Sequence, residues 1–131
     1  REAYARLAFA AEIAPFFADL PARMAGAHLV IARSGASTVS ELAAVGRACL
    51  LVPFPHALDA DQARNAIELE KAGAATVVAQ TEFSPERLAR ELREALADPP
   101  VLRMRGEAGR AVAVLDAAER LADLGEDVAR N

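Results

Sequence analysis

The sequence contains no tryptophan, one tyrosine, two histidines and one cysteine in 131 residues. A single cysteine excludes an internal disulfide, which is consistent with a reducing compartment. Cys49 lies in the apolar run 48–52, where a buried thiol acting as a small hydrophobic side chain is expected rather than a nucleophile. No stretch of about 20 residues is continuously apolar, so no membrane-spanning helix is predicted, and no signal peptide is recognisable.

Positive charge is also scarce, because 15 Lys and Arg face 19 Asp and Glu and leave a net charge of −4. Nucleic-acid binders rely on an excess of Lys and Arg to neutralise phosphates, so this class is disfavoured. The length suits one domain. The chain does not begin with Met and opens in a predicted helix over residues 1–10. The start of the protein is therefore expected to be missing.

Short apolar runs alternate with amphipathic segments along the chain. The predicted strands are residues 28–32, 49–52 and 75–79, with a weak edge strand at 12–17 in front of a short helix capped by Asp19. Two helices are predicted to end at glycines: residues 38–45 at Gly46 and residues 61–72 at Gly73. A third helix is capped by Ser84 and broken at Pro99-Pro100. The last is an amphipathic helix over residues 111–121, followed by a frayed tail.

This alternation predicts an α/β fold in which a Rossmann-like parallel sheet is flanked by helices on both faces. A complete doubly wound domain usually has more strands than the three strong ones and one weak one found here. Residues 1–131 are therefore expected to form a single domain that is incomplete in this sequence.

The loop after the predicted strand 28–32 is rich in small and hydroxylated residues. Ligands of open α/β sheets bind beyond the carboxyl ends of strands, and a helix N-terminus there attracts phosphate. Gly35 would let the backbone approach an anion closely, and Ser34, Ser37 and Thr38 would add hydroxyl donors. The loop is a candidate diphosphate site.

The same stretch has a structural interpretation that local spacing favours slightly. Thr38 and Glu41 are spaced as in a capping box, in which Glu41 would reach back to a backbone N–H at the start of the helix. Both interpretations stay open at this point.

A second polar loop follows the predicted strand 49–52 and should lie on the same edge of the sheet. Asp61 and Gln62 begin the next helix, where they could contact the hydroxyls of a sugar, or act as an N-cap and a solvated residue. Asn65 is on the same helical face as Gln62. His56 is either an acid/base group or, more commonly, a loop histidine satisfied by the backbone. No metal-ligand spacing and no nucleophile–base pair is present.

Four motifs together carry a resemblance to a known family. They are residues 33–41 (RSGASTVSE), 52–56 (VPFPH), 61–66 (DQARNA) and 70–75 (EKAGAA). This set resembles the MurG family of N-acetylglucosaminyltransferases of peptidoglycan synthesis, in glycosyltransferase family 28. The resemblance covers nearly the whole chain. It implies the C-terminal, donor-binding half of a GT-B fold, with UDP-N-acetylglucosamine as ligand, no metal and no cofactor.

The resemblance also implies roles for single residues. Glu41 would bind the ribose of UDP, Phe17 would meet the uracil through its main chain with Phe16 beside it, and Gln62 would contact the sugar. The diphosphate would lie on Ser34, Gly35, Ala36, Ser37 and Thr38, and His56 and Asp61 complete the implied set. Some relatives have two glutamines where this chain has Asp61-Gln62, so the role of Asp61 is less firmly implied.

The family's acceptor domain is absent from this sequence, and with it the usual base, so no catalytic residue is assigned. That domain would bring the enzyme to a lipid-linked acceptor at the cytoplasmic face of the bacterial inner membrane, as a peripheral protein. Two alternatives remain open: a stand-alone donor subunit of a two-chain transferase, and an enzyme that uses a different UDP-sugar or a dTDP-sugar.

Overall fold

A computed structural model of the chain describes residues 4, 6, 9–56 and 61–130. The predicted helix over residues 1–10 lies largely outside the described residues. The described elements form an α/β fold with a small sheet between two layers of helices.

The sheet consists of three short parallel strands in the order β1-β2-β3. They are β1 (Val30–Ala32), β2 (Cys49–Leu51) and β3 (Ala75–Val77). Ala32 pairs with Leu51, and Leu51 pairs with Val77, so the three strands end at the same level. The three strong strands predicted from the sequence are confirmed, each shorter by one or two residues.

Six helices are present within the described part of the chain. They are α1 (Leu20–Gly26), α2 (Ala36–Val45), α3 (Asp61–Lys71), α4 (Pro85–Ala97), α5 (Pro99–Ala111) and α6 (Ala117–Arg130), and a short 3-10 helix, Gln80–Glu82, follows β3. Helices α2 and α3 are the crossovers of the two parallel pairs, as a parallel sheet requires.

Glycines end the two crossover helices where the sequence predicted. Gly46 is left-handed (φ 70°) and its N–H bonds to the carbonyls of Leu42 and Ala43, while Gly73 has φ 80° and its N–H bonds to Glu70. Only glycine adopts this backbone conformation without strain. Ser84 is likewise confirmed as the N-cap of α4, where its hydroxyl accepts the Arg87 N–H at 3.1 Å.

The core lies on both faces of the sheet, as predicted. Cys49 and Leu51 join Met24 of α1, Leu42 of α2 and Leu69 of α3 in one buried cluster. Burial raises the pKa of the Cys49 thiol to about 11, so the thiol stays protonated near neutral pH. The prediction that Cys49 acts as a buried hydrophobic side chain is confirmed.

Helices α4 and α5 cover the opposite face. Leu50 of β2 lies there beside Ala95 of α4 and Leu102 of α5. Arg105 of α5 donates to the Thr76 hydroxyl at 2.9 Å and thereby ties the helix to β3. Successive side chains of β2 point to opposite faces of the sheet, and helices cover both faces. All three residues of the strand are therefore apolar.

The prediction of an edge strand at residues 12–17 is wrong, because this segment has no regular structure. Its polar groups bond to α1, where Arg23 forms two hydrogen bonds with Glu12, at 2.6 and 2.8 Å. Asp19 precedes α1 but makes no side-chain cap, because its carboxylate pairs with Arg23 at 2.7 Å.

The C-terminal prediction also needs correction. The apolar stripe over residues 111–121 is interrupted by a turn between α5 and α6, and α6 extends to Arg130 instead of fraying from Gly125. Pro99 does break the preceding helix, and it also opens α5, since proline is well suited to a first helical turn. Among the described helices, none is long and apolar enough to span a membrane.

Helix α5 approaches the α2–β2 turn closely at Gly106. A Cβ at this position would lie 2.3 Å from the Gly46 carbonyl oxygen, whereas a Cβ at Gly125 of α6 would meet nothing within 4 Å. The contact is backbone against backbone, so α5 would have to move away to accommodate a methyl group.

We expect Gly106→Ala to lower the free energy of unfolding by about 1–3 kcal/mol, the usual effect of overpacking. The matched change Gly125→Ala should be neutral, or stabilising by up to about 1 kcal/mol, because alanine is the better helix former. Urea denaturation followed by circular dichroism measures both variants. Equal free energies for the two would contradict the close approach.

Candidate functional site

Two polar loops lie side by side at the carboxyl edge of the sheet. The first loop, residues 33–35, leaves β1, and the second loop, residues 52–56, leaves the neighbouring β2. The Val52 N–H still bonds to the Ala32 carbonyl at 2.9 Å, which continues the pairing to the point where the loops begin. This edge is where open α/β sheets bind ligands.

The first loop leads directly into α2, whose N-terminus has no side-chain cap. The first helical hydrogen bond joins the Val39 N–H to the Gly35 carbonyl at 3.0 Å. The amides of Ala36, Ser37 and Thr38 precede this bond and so have no partner within the helix. Together with the helix dipole, they form an anion-binding end.

Gly35 is the N-cap residue of α2, with φ −61° and ψ 151°. This conformation is open to any residue, and a Cβ at this position would meet only the Thr38 hydroxyl, at 4.0 Å. The described fold therefore does not require a glycine here. Close approach by a ligand remains the reason for glycine that the sequence suggested.

The capping-box interpretation of this stretch is wrong. Helix α2 begins at Ala36, two residues before the predicted start, so Thr38 lies within the first turn and cannot be the N-cap. Glu41 is exposed and forms no hydrogen bond or ion pair with the described part of the chain. Its carboxylate lies one turn beyond Ser37 and Thr38 on the same side of the helix, and is available to a ligand.

Ser34 differs from its neighbours because its side chain is turned inward. The residue is completely buried, and its hydroxyl donates to the Gln62 carbonyl in α3 at 2.7 Å. The structure therefore gives the Ser34 hydroxyl a protein partner, whereas Ser37 is exposed and Thr38 half-buried. The diphosphate contact predicted for Ser34 would have to use its backbone.

Helix α3 joins both loops through its first turns. Gln62 accepts the Phe54 N–H through Oε1 at 3.0 Å, and Asn65 donates from Nδ2 to the Ser34 carbonyl at 3.2 Å. Asp61 is exposed in the first turn of the helix. Residues 57–60 lie outside the described residues.

The contacts of Arg33 were not predicted from the sequence. The Arg33 guanidinium donates to the carbonyls of Val52 and Pro53, at 3.1 and 3.3 Å, and lies 5.6 Å from the centroid of the Phe54 ring. These partners are about 20 or more positions away in sequence, so no local pattern indicates them. His56 is exposed and packs edge-on against Phe54, with ring centroids 5.7 Å apart.

Phe17 is half-buried and lies under Arg23, whose guanidinium is 4.2 Å from the ring centroid. Hydrogen bonds from Arg23 lower the pKa of the Glu12 and Asp19 carboxyls, so both stay ionised and hold the arginine over the ring. Phe16 is 79% exposed. The uracil contact implied for the Phe17 main chain stays a prediction.

The described residues contain no group of His, Cys, Asp or Glu that could hold a metal ion. The groups at this edge can bind an anion through backbone amides and a polyol through carboxylate and amide side chains. Nothing among the contacts described above places a base beside a nucleophile.

Residues 1–121 match the sequence profile of the glycosyltransferase family 28 C-terminal domain. The chain belongs to this family. The family resemblance inferred from the sequence motifs is confirmed. The relatives that match this chain are much longer than it is.

Two relatives are named UDP-N-acetylglucosamine--N-acetylmuramyl-(pentapeptide) pyrophosphoryl-undecaprenol N-acetylglucosamine transferase. They come from Brucella suis and Brucella abortus, and each is 56% identical to this chain over 129 residues. The matches cover 98% of this chain and 34% of each relative. The chain thus spans about a third of the length of these proteins.

Solved structures give the same result. A crystal structure of MurG from Acinetobacter baumannii matches with a TM-score of 0.81 and 33% identity, over 94% of this chain and 37% of that one. The glycosyltransferase VinC in complex with dTDP matches with a TM-score of 0.71 and 23% identity, over 99% of this chain and 33% of that one. The likeness to VinC shows the fold alone.

Because Glu41 forms no hydrogen bond or ion pair with the described chain, we expect Glu41→Ala to change the free energy of unfolding by less than about 0.5 kcal/mol. A capping role would instead cost about 1 kcal/mol. Thermal or urea unfolding of the unliganded chain measures the difference. The change Ser84→Ala, which removes a cap that the structure does contain, provides the positive control and should cost about 1 kcal/mol.

Proposed function

We propose that this chain is the donor-binding part of a hexosyltransferase of peptidoglycan synthesis. It would hold UDP-N-acetylglucosamine while N-acetylglucosamine is transferred to a lipid-linked N-acetylmuramyl-pentapeptide. The observation that carries the proposal is the uncapped amide end of α2, with the Glu41 carboxylate one turn away and without a hydrogen-bond partner among the described residues. The identity of the sugar and of the acceptor rests on the name of the Brucella relatives.

The diphosphate would lie on the backbone of Gly35, Ala36, Ser37 and Thr38, because those amides have no partner in the helix. The exposed hydroxyl of Ser37 can add a further donor. As charge builds up on the leaving diphosphate during transfer, the amides and the dipole of α2 would stabilise it without a metal ion. This is differential stabilisation of the transition state by a preorganised group.

Glu41 would accept hydrogen bonds from the ribose hydroxyls, a role suited to a carboxylate with no protein partner. Phe17 would meet the uracil through its main chain. The sugar would contact Gln62 and Asp61 at the start of α3, with His56 at the end of the second loop beside them.

Transfer requires an acceptor site and a base, and we place both in the part of the protein that lies outside these 131 residues. That part would hold the lipid-linked acceptor at the cytoplasmic face of the inner membrane, so the enzyme would be a peripheral membrane protein. The 34% coverage of the Brucella relatives supports this division of labour.

We expect the chain to bind UDP, and Glu41→Ala to weaken binding about ten- to hundredfold, because a hydrogen bond to a charged group contributes about 1.5–3 kcal/mol. Isothermal titration calorimetry measures the Kd. The change Glu70→Ala, which removes an exposed carboxylate at the far end of α3, is the matched control and should leave the Kd unchanged.

The nucleotide dUDP isolates the ribose contact, since it differs from UDP only by the 2′-hydroxyl. The wild-type chain should prefer UDP to dUDP, and Glu41→Ala should remove that preference. Preference retained in the variant would exclude Glu41 as the ribose ligand. Tighter binding of dTDP than of UDP would favour the alternative of a dTDP-sugar donor.

The chain alone should show no transfer of N-acetylglucosamine to a lipid-linked acceptor, because acceptor site and base are assigned elsewhere. A radiolabelled UDP-N-acetylglucosamine assay with lipid acceptor in detergent measures this. Transfer restored by adding a separate membrane protein would favour the two-chain alternative. Robust transfer by the chain alone would overturn the proposed division.

A further inference from the structure

The two loops of the candidate site are joined by hydrogen bonds that pass through α3. Ser34 is the fully buried polar residue among those described, with 0% exposure, and its hydroxyl is committed to the Gln62 carbonyl. A hydroxyl in this position cannot reach a ligand at the surface. It can nevertheless fix the distance between the first loop and the first turn of α3.

Other hydrogen bonds of this region also hold the first loop in place. The Asn65 amide holds the Ser34 carbonyl, so Ser34 is bonded to α3 through both its side chain and its backbone. Arg33, next in the chain, holds the carbonyls of Val52 and Pro53 in the second loop. The first loop is thereby tied to the other two segments of the site.

The second loop in turn controls the orientation of Gln62. The side-chain oxygen of Gln62 accepts the Phe54 N–H at 3.0 Å, which leaves the NH2 group at Nε2 free to serve a ligand as far as the described residues go. That group can only donate, whereas the neighbouring Asp61 carboxylate can only accept when ionised. A pair of this kind suits a polyol, whose hydroxyls both donate and accept.

We propose that Ser34 is a positioning residue that couples the diphosphate-binding loop to the sugar-contacting turn, through its hydrogen bond to the Gln62 carbonyl. The inference rests on the proposed donor site. On this assignment the Ser34 hydroxyl does not touch the diphosphate, and its effect on the ligand is exerted through the placement of Gln62. The amide of Gln62 donates to a sugar oxygen.

A double-mutant cycle on the Kd of UDP-N-acetylglucosamine tests the coupling, because residues that act through one another are not additive. Calorimetry is carried out on the full chain as wild type, Ser34→Ala, Gln62→Ala and the double variant. Each single change should weaken binding about five- to tenfold, the effect of one hydrogen bond. The double variant should be no weaker than the worse single variant.

The change Ser40→Ala removes an exposed hydroxyl from α2 and provides the matched control. Combined with Gln62→Ala, it should leave the effect of Gln62→Ala unchanged. Gln62→Glu is a further probe, since it keeps an oxygen for the Phe54 N–H but loses the donor. It should weaken UDP-N-acetylglucosamine binding about as much as Gln62→Ala does and leave UDP binding unchanged.

The outcomes distinguish a failure of the proposed function from a failure of the coupling between Ser34 and Gln62. If the wild-type chain binds neither UDP nor UDP-N-acetylglucosamine, the proposed function fails and the coupling fails with it. If the wild type binds but the effects of Ser34→Ala and Gln62→Ala multiply, or either change has no effect, the coupling alone is wrong. Should Ser34→Ala fail to fold, Asn65→Ala replaces it in the cycle, because it removes the other bond between Ser34 and α3.

Discussion

Hydrogen bonding between parallel strands decides where every polar loop of this fold lies. Because Ala32, Leu51 and Val77 are paired in register, the chain leaves all three strands at the same edge. Residues that are about 20 positions apart then become neighbours, and Arg33 can bond to Val52 and Pro53. The helix that follows the first loop has no cap of its own, so this edge combines free amides with side chains of the next helix.

Features that depend on short-range chemistry could be predicted from the sequence. Gly46 and Gly73 end their helices because left-handed backbone favours glycine, and Ser84 caps α4 because its hydroxyl reaches an N–H three residues away. The apolar run of β2 is buried between helices and those of β1 and β3 are partly buried, and a continuous hydrophobic pattern was sufficient to predict all three strands. The family resemblance rested on motifs in the loops that leave β1 and β2, in the first turns of α2 and α3, and at the turn from α3 to β3.

Features that depend on partners distant in sequence could not be predicted. Thr38 and Glu41 have the spacing of a capping box, but the helix starts two residues earlier, at Ala36, and the loop before it is bonded to α3. The direction of the Ser34 side chain is set by Gln62, 28 positions away. Residues 12–17 are apolar enough for a strand, yet Glu12 is held by Arg23 of α1.

The glycine cap of α2 has a consequence for the stability of the whole chain. A serine or aspartate at position 35 could bond a first-turn amide through its side chain, although relative to glycine this would stabilise the helix by only roughly a few tenths of a kcal/mol. With glycine there, no N-cap side chain bonds the first-turn amides of α2, and they are open to a ligand. On the proposed function, bound nucleotide completes the helix and shifts the folding equilibrium by RT ln(1 + [L]/Kd). Resistance to unfolding, and hence to proteolysis, would then rise with the cellular supply of the sugar nucleotide.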